Sequence, residues 1–156
     1  MASNKLDRNE VDRYEILELL GQGGMGKVYR AYDPHLDREV VLKFILPETG
    51  FGDEWHQRFQ REVRAAGSLN HPHIVTVYDV VLEQEEPYVV MEYLRGGTLK
   101  ERFQANPMSW SEALTLLKPL AEALAYAHRA GVVHRDVKPE NVLFTGGEPD
   151  VLKLAD

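Results

Sequence analysis

His134-Arg135-Asp136-Val137-Lys138-Pro139-Glu140-Asn141 decides how this chain is read. Eight residues hold a possible base, two cations and a carboxamide. An apolar-periodic segment ending at Ala130-Gly131 precedes the stretch, and the apolar run Val142-Leu143-Phe144 follows it. That context predicts helix, loop, strand. A polar loop pinned between two packed elements can fix side chains for chemistry. The bland reading is a charged surface loop with an accidental pattern. Six specified positions in eight, H-R-D-x-K-P-x-N, argue against accident.

Composition narrows the alternatives. A chain of 156 residues, 44% apolar, suits one soluble globular domain or part of one. A net charge of −7 gives no electrostatic support for general nucleic-acid binding. With no cysteine, disulfide scaffolds, thiolate zinc sites and cysteine nucleophiles are excluded. No apolar stretch is long enough to span a bilayer, and the first ten residues lack the apolar core of a signal peptide. A soluble cytoplasmic segment is the simplest reading, with a membrane anchor in a longer parent protein left open.

The second informative stretch is Gly21-Gln22-Gly23-Gly24-Met25-Gly26. It follows Tyr14–Leu20, whose periodicity is mixed, and precedes Lys27–Tyr32, which reads as a strand ending in an Asp33-Pro34 turn. Three motifs compete for it. A dinucleotide fingerprint, G-x-G-x-x-G, needs a helix next. A P-loop also needs a helix, and Val28 stands where a magnesium-binding hydroxyl would be. The third, G-x-G-x-x-G-x-V, is a hairpin between two strands, and only it fits the flanks. Bare glycine backbone can approach phosphates closely and offer N–H groups. The plain alternative is a glycine-rich hairpin without a ligand.

Taken together, the two motifs resemble the glycine-rich loop and catalytic loop of protein kinases. The Gly-Gly-Met-Gly form looks most like eukaryotic-like serine/threonine kinases of bacteria. The rest of the chain supplies further matches in order. Val40-Val41-Leu42-Lys43 looks like the strand whose lysine holds the α- and β-phosphates, with Val41 where alanine is common. Phe59, Val63, Ala66 and Leu69 predict a helix from Asp53 to about Leu69, and the resemblance makes Glu62 the partner of Lys43. Strands follow at about 75–82 and 88–93. Met91 would be the gatekeeper, and the Glu92 and Leu94 backbone would meet the adenine edge. Thr98 to about Ala105 reads as a short helix. Ser109-Trp110-Ser111-Glu112 reads as a capping box that opens a helix to Ala130. On that helix Leu117, Leu120, Leu124 and Ala127 line one face, widened by Leu114 and Ala121. Pro119 should kink it. His71-Pro72-His73 invites a metal reading, but no third ligand is evident.

The resemblance implies an α+β, protein-kinase-like fold with three parts: a leader at 1–13, an N-lobe at 14–94 and a partial C-lobe at 95–156. The N-lobe would be a five-stranded antiparallel sheet with one helix, and the C-lobe the beginning of a mainly helical unit. It also implies ATP and Mg2+ as cofactors and protein serine or threonine hydroxyls as acceptors. In that layout Asp136 orients the hydroxyl and Lys138 neutralises charge on the γ-phosphate. Asn141 and Asp156 ligate magnesium, and Lys43, held by Glu62, grips the other phosphates. Gly21, Gly23, Gly24 and Gly26 cover the phosphates, and Leu20, Val28, Val41 and Leu143 sandwich adenine. Arg135 is a candidate partner for a phosphorylated activation loop. Lys153-Leu154-Ala155-Asp156 matches the kinase pattern up to its aspartate, where the sequence stops, so the chain alone is expected to be inactive. Two other classes compete: a non-catalytic nucleotide-binding or interaction module, and a small-molecule phosphotransferase. Lys138-Pro139 after Asp136 weighs against the latter.

Overall fold

A computed structural model describes residues 9–24, 26–46 and 53–155. The chain divides into two compact units, residues 1–57 with 77–93 and residues 58–76 with 94–156.

The first unit is built on one antiparallel sheet. Its strands are β1 (Glu10–Val11), β2 (Tyr14–Gly23), β3 (Gly26–Asp33), β4 (Arg38–Phe44), β5 (Val77–Val81) and β6 (Tyr88–Glu92). They lie in the order β1-β2-β3-β4-β6-β5. Five strands match expectation, and a sixth, the two-residue β1, extends the edge into the residues ahead of Tyr14. Asp12 makes this possible. It adopts φ 50°, which a short side chain with local hydrogen bonds tolerates. Its carboxylate accepts from the Tyr88 hydroxyl and from Gln84 Nε2 at 2.9 Å, tying the β1–β2 turn to the turn before β6.

Period-two alternation sorts the sheet's faces. Val40, Leu42 and Phe44 of β4 join Tyr14, Tyr29, Ala31, Tyr88 and Val90 in a closed core. Tyr29 and Tyr88 meet Phe44 with ring centroids 5.8 and 5.3 Å apart. The intervening residues Val41 and Lys43 face the other way. Among the described residues one carboxylate, Asp33, is fully buried. It is satisfied by Arg13 at 3.2 Å and by the His35 N–H at 3.1 Å, which a buried charge requires.

Helix α1 (Asp53–Gly67) leads into the second unit, which also holds α2 (Leu99–Ala105), α3 (Trp110–Arg129) and the hairpin β7 (Val142–Phe144) and β8 (Leu152–Leu154). Both α2 and α3 start with a capping box. Thr98 and Glu101 exchange bonds at 3.1 and 2.7 Å, and Ser109 and Glu112 at 3.3 and 2.8 Å. The Ser109 box was expected. The Thr98 box carries the same S/T-x-x-E signal and was not read. Helix α3 is continuous through Pro119.

The inward face of α3 keeps Leu120, Leu124 and Ala127 of the expected one, but Leu116 and Ala123 complete it where Leu117, Leu114 and Ala121 were expected. Leu116, Leu120 and Leu124 pack on Leu99, Val142, Phe144, Leu152 and Leu154, and Ala123 and Ala127 are buried. Leu114 and Leu117 are instead exposed, at 63% and 54%. Apolar residues occupy two adjoining stripes of this helix, so periodicity alone could not choose between them. The hairpin then fixes the chain around it. Gly96 N–H donates to Phe144 O (2.9 Å) and Phe144 N–H to Gly97 O (3.0 Å). A Cβ on Gly96 would lie 2.6 Å from Phe144 O, so glycine is demanded by this backbone approach.

Candidate functional site

The second unit positions the loop His134–Asn141. Upstream, α3 ends near Ala130, and Gly131 takes φ 79°, the left-handed region that suits a glycine. Downstream, a single 3-10 turn, Pro139–Asn141, opens directly into β7. The loop is thus stretched between two packed elements, as its flanks suggested.

Inside it, polar groups converge on Asp136. Lys138 Nζ lies 2.9 Å from Asp136 Oδ2. Asn141 is nearly buried, and its Nδ2 donates to both Asp136 O (2.9 Å) and Oδ2 (3.2 Å). The Lys138 hydrogen bond is the chief reason the Asp136 carboxyl is held below the usual carboxylate range; Asn141 and His134 add to the effect. Asp136 is therefore an anion whose one oxygen is saturated and whose other is open on an exposed surface. Because Asn141 spends its nitrogen on Asp136, its Oδ1 is the group left to accept a proton or ligate a cation.

Sequence reasoning did not foresee the part played by His134. Asp136 N–H donates to its Nδ1 (3.2 Å), which places the ring proton on Nε2, and Nε2 donates to Ala155 O (2.7 Å). Ala155 N–H donates to Asn141 O (2.8 Å). One imidazole and one backbone bond thus fix the end of β8 against the loop that carries Asp136. Glu140 is held outward by Lys100 Nζ at 2.9 Å.

Arg135 sits at φ 66°, an uncommon backbone state for a long side chain. Its guanidinium lies 3.7 Å from the Glu62 carboxylate, which Arg58 also approaches at 3.4 Å. Glu62, expected beside Lys43, is thus engaged here by two arginines of its own unit.

The first unit carries the glycine hairpin and Lys43. Strands β2 and β3 pair from Glu15↔Tyr32 to Gly23↔Gly26, so the glycine stretch is the closed end of a hairpin. Leu20 falls in a register irregularity between Leu19 and Gly21 and is exposed. The glycines divide into two kinds. Gly26 has φ 130°, and a Cβ there would lie 1.9 Å from Phe44 O; the fold itself demands glycine. At Gly21, Gly23 and Gly24 a Cβ would meet nothing within 4 Å. Neither packing nor a left-handed φ explains those three.

Cross-strand partners place Val28, Val41, Lys43 and Met91 on one face of the sheet, opposite the core: Val28↔Lys43, Val41↔Met91. Lys43, the last residue but one of β4, is half-buried. Glu92 ends β6 opposite Val40. Leu94 and Leu143, expected at the adenine site, belong to the second unit, where both are half-buried. Asp156, the expected second metal ligand, lies outside the described residues, as does Met25. Among the described residues no three His, Cys, Asp or Glu side chains form a metal-binding group, and no helix is long and apolar enough to cross a membrane.

The family model described as protein kinase domain matches residues 14–156. Serine/threonine-protein kinase PrkC of Bacillus subtilis is 46% identical over 133 residues, which cover 85% of this chain and 20% of that protein. Serine/threonine-protein kinase PknL of Mycobacterium tuberculosis is 42% identical over 145 residues, 92% of this chain and 36% of that protein. The chain therefore spans about a fifth to a third of the length of these relatives. The crystal structure of the Mycobacterium tuberculosis PknI kinase domain matches with a TM-score of 0.78 at 34% identity, covering 93% of this chain and 59% of that one. The relatives named here are serine/threonine kinases of bacteria; the fold is the kinase fold, and the chain belongs to the protein kinase family.

Proposed function

We propose that this chain is the nucleotide-binding and hydroxyl-activating part of a serine/threonine protein kinase that transfers the γ-phosphoryl group of Mg-ATP to protein hydroxyls. In this reading residues 14–94 serve as the N-lobe and residues 95–156 as the first part of the C-lobe. The observation that carries it is the convergence of Lys138 and Asn141 on the Asp136 carboxylate within one loop.

The roles follow from charge and geometry. Asp136 keeps an open carboxylate oxygen to orient an incoming hydroxyl and accept its proton. Lys138 supplies a cation one residue beyond Val137, where transferred phosphate charge needs compensation. Phosphoryl transfer depends mainly on such positioning and neutralisation. Arg135 remains the candidate partner for a phosphorylated activation loop.

The residues present fit nucleotide and metal. Asn141 offers a carboxamide oxygen, a hard ligand of the kind Mg2+ prefers, and Asp156 would offer a carboxylate. Magnesium would supply charge neutralisation on the phosphates. Gly21, Gly23 and Gly24 leave open space that neither packing nor backbone needs, which suits close approach of phosphate oxygens to bare N–H groups. Lys43 would meet the phosphates, with Glu62 released from its arginines to hold it. Leu20, Val28, Val41 and Leu143 would be the apolar contacts of adenine. Met91 would flank the base, and the backbone of Glu92 and Leu94 would meet its edge. Dependence on ATP supports a cytoplasmic setting.

The test uses the full-length protein with labelled ATP and Mg2+. Wild type should yield phosphoserine and phosphothreonine, and Lys43→Ala should yield neither while remaining folded. Full activity in Lys43→Ala, or mainly phosphotyrosine, would refute the assignment. Nucleotide binding without transfer would support a non-catalytic module instead.

A further inference from the structure

The His71-Pro72-His73 turn, set aside above as a metal site, has a precise internal arrangement. His73 N–H donates to His71 Nδ1 at 3.1 Å, and Ile74 N–H donates to His71 O at 3.1 Å. The His71 ring packs against Tyr126 of α3, tilted by 38° with centroids 5.1 Å apart, and lies 5.7 Å from the His73 ring. Tyr126 in turn accepts from Asn70 N–H through its hydroxyl at 3.2 Å.

This turn holds β8. Leu154 N–H donates to His73 O (2.8 Å), and Val75 N–H donates to Leu154 O (2.9 Å). His73 Nδ1 meets Leu152 O at 2.8 Å, so that nitrogen carries a proton and donates. The two histidines therefore differ in kind. His73 acts through a ring N–H, which it keeps when it takes up a second proton. His71 acts through a ring lone pair, which a second proton destroys.

We propose that His71 is a proton-operated latch: neutral, it locks the 70–75 turn onto β8, and protonated, it releases that turn. The surroundings of the ring favour the neutral form. Burial and the neighbouring His73 push the His71 pKa below the ordinary histidine value; Arg129 acts the same way, and Glu122 of α3 opposes them. The Tyr126 ring also faces that of His71. With a depressed folded value, the native state binds fewer protons than the unfolded chain. The lock is then complete above about pH 6.5 and weakens as pH falls below that value. A consequence for catalysis rests on the function proposed above: β8 leads through Ala155 to Asp156, so acid would loosen the segment bearing a metal ligand.

The test separates the lock from the kinase reading, because it needs no nucleotide. Amide exchange of residues 73–75 and 152–155 is measured in the full-length protein at pH 7.5 and 5.5, corrected for the intrinsic rate. Wild type should lose protection at pH 5.5, by up to about fivefold, the equivalent of one net hydrogen bond. His71→Asn should hold its protection at both pH values, since an asparagine Oδ1 can accept the same i+2 N–H and does not titrate. The His71 ring, followed by NMR in the wild type, should titrate below 6.5 together with the loss. Equal acid loss in His71→Asn, or a His71 titration with unchanged protection, would overturn the proposal.

Discussion

The glycine hairpin offers a test in which stability and ligand binding should part company. Gly26→Ala puts a methyl group 1.9 Å from Phe44 O and 2.9 Å from Phe44 C, at φ 130°. Backbone strain of this kind costs about 1–3 kcal/mol for a residue with a side chain. The clash is with backbone, so no rotamer change relieves it. The start of β3 must instead draw away from β4, loosening the Val28↔Lys43 pairing at about 1 kcal/mol per lost hydrogen bond. The sum is about 2–4 kcal/mol, a large fraction of a typical domain's stability. In a chain of 156 residues that corresponds to a fall in Tm of about 4–16 °C. Gly23→Ala meets nothing within 4 Å and should change stability by less than about 0.5 kcal/mol. It should instead weaken ATP about tenfold, by keeping phosphate oxygens from the backbone N–H groups. Urea melts followed by circular dichroism, paired with titration of a fluorescent ATP analogue, read both quantities. A Gly26→Ala protein melting within 1 kcal/mol of wild type would refute the packing argument. A Gly23→Ala protein with unchanged nucleotide affinity would refute the phosphate argument.

Three further outcomes are expected. Removing the Lys138 ammonium by Lys138→Ala should let the Asp136 carboxyl rise toward its ordinary value of 3.8, so that it protonates at higher pH than in wild type; NMR titration of that carboxyl checks the sign. Leu42→Ala, at a fully buried site in the sheet core, should cost about 2–5 kcal/mol in a urea melt. Arg102→Leu should cost about 1–3 kcal/mol, because this guanidinium sits 3.4 Å from the Phe144 ring centroid, donates to Gly96 O at 3.2 Å and pairs with Asp150; a cost below 0.5 kcal/mol would show that solvent already screens all three.

Much of this fold could be read from the chain because its signals are local. Gly21–Gly26 between two strand-like runs gave a hairpin, and Ser109-x-x-Glu112 gave a helix start. Both depend on residues a few positions apart. The orientation of α3 was harder. Leu114 and Leu117 compete with Leu116 and Ala123 to flank the shared Leu120 and Leu124, and only the β7–β8 hairpin, folded against one side, decides. Strand β1 was invisible for a similar reason. Two polar-flanked residues carry no period, and what holds them is Asp12 reaching Gln84 and Tyr88, more than seventy positions away.

The candidate site divides along the same line. Asp136, Lys138 and Asn141 lie within one loop, so the sequence that named them also fixed their meeting. Glu62 lies far along the chain from that loop, and what it meets depends on how α1 is placed. Its bond to Arg58 is an i,i+4 helix pair and was legible. Its approach to Arg135 depends on the φ of 66° there, which no spacing rule announces. Glu62, Arg58 and Arg135 are all more than half exposed, at 53%, 74% and 66%, and such pairs are worth about 0–1 kcal/mol. Breaking these two pairs would therefore need little free energy, because solvent already makes them weak.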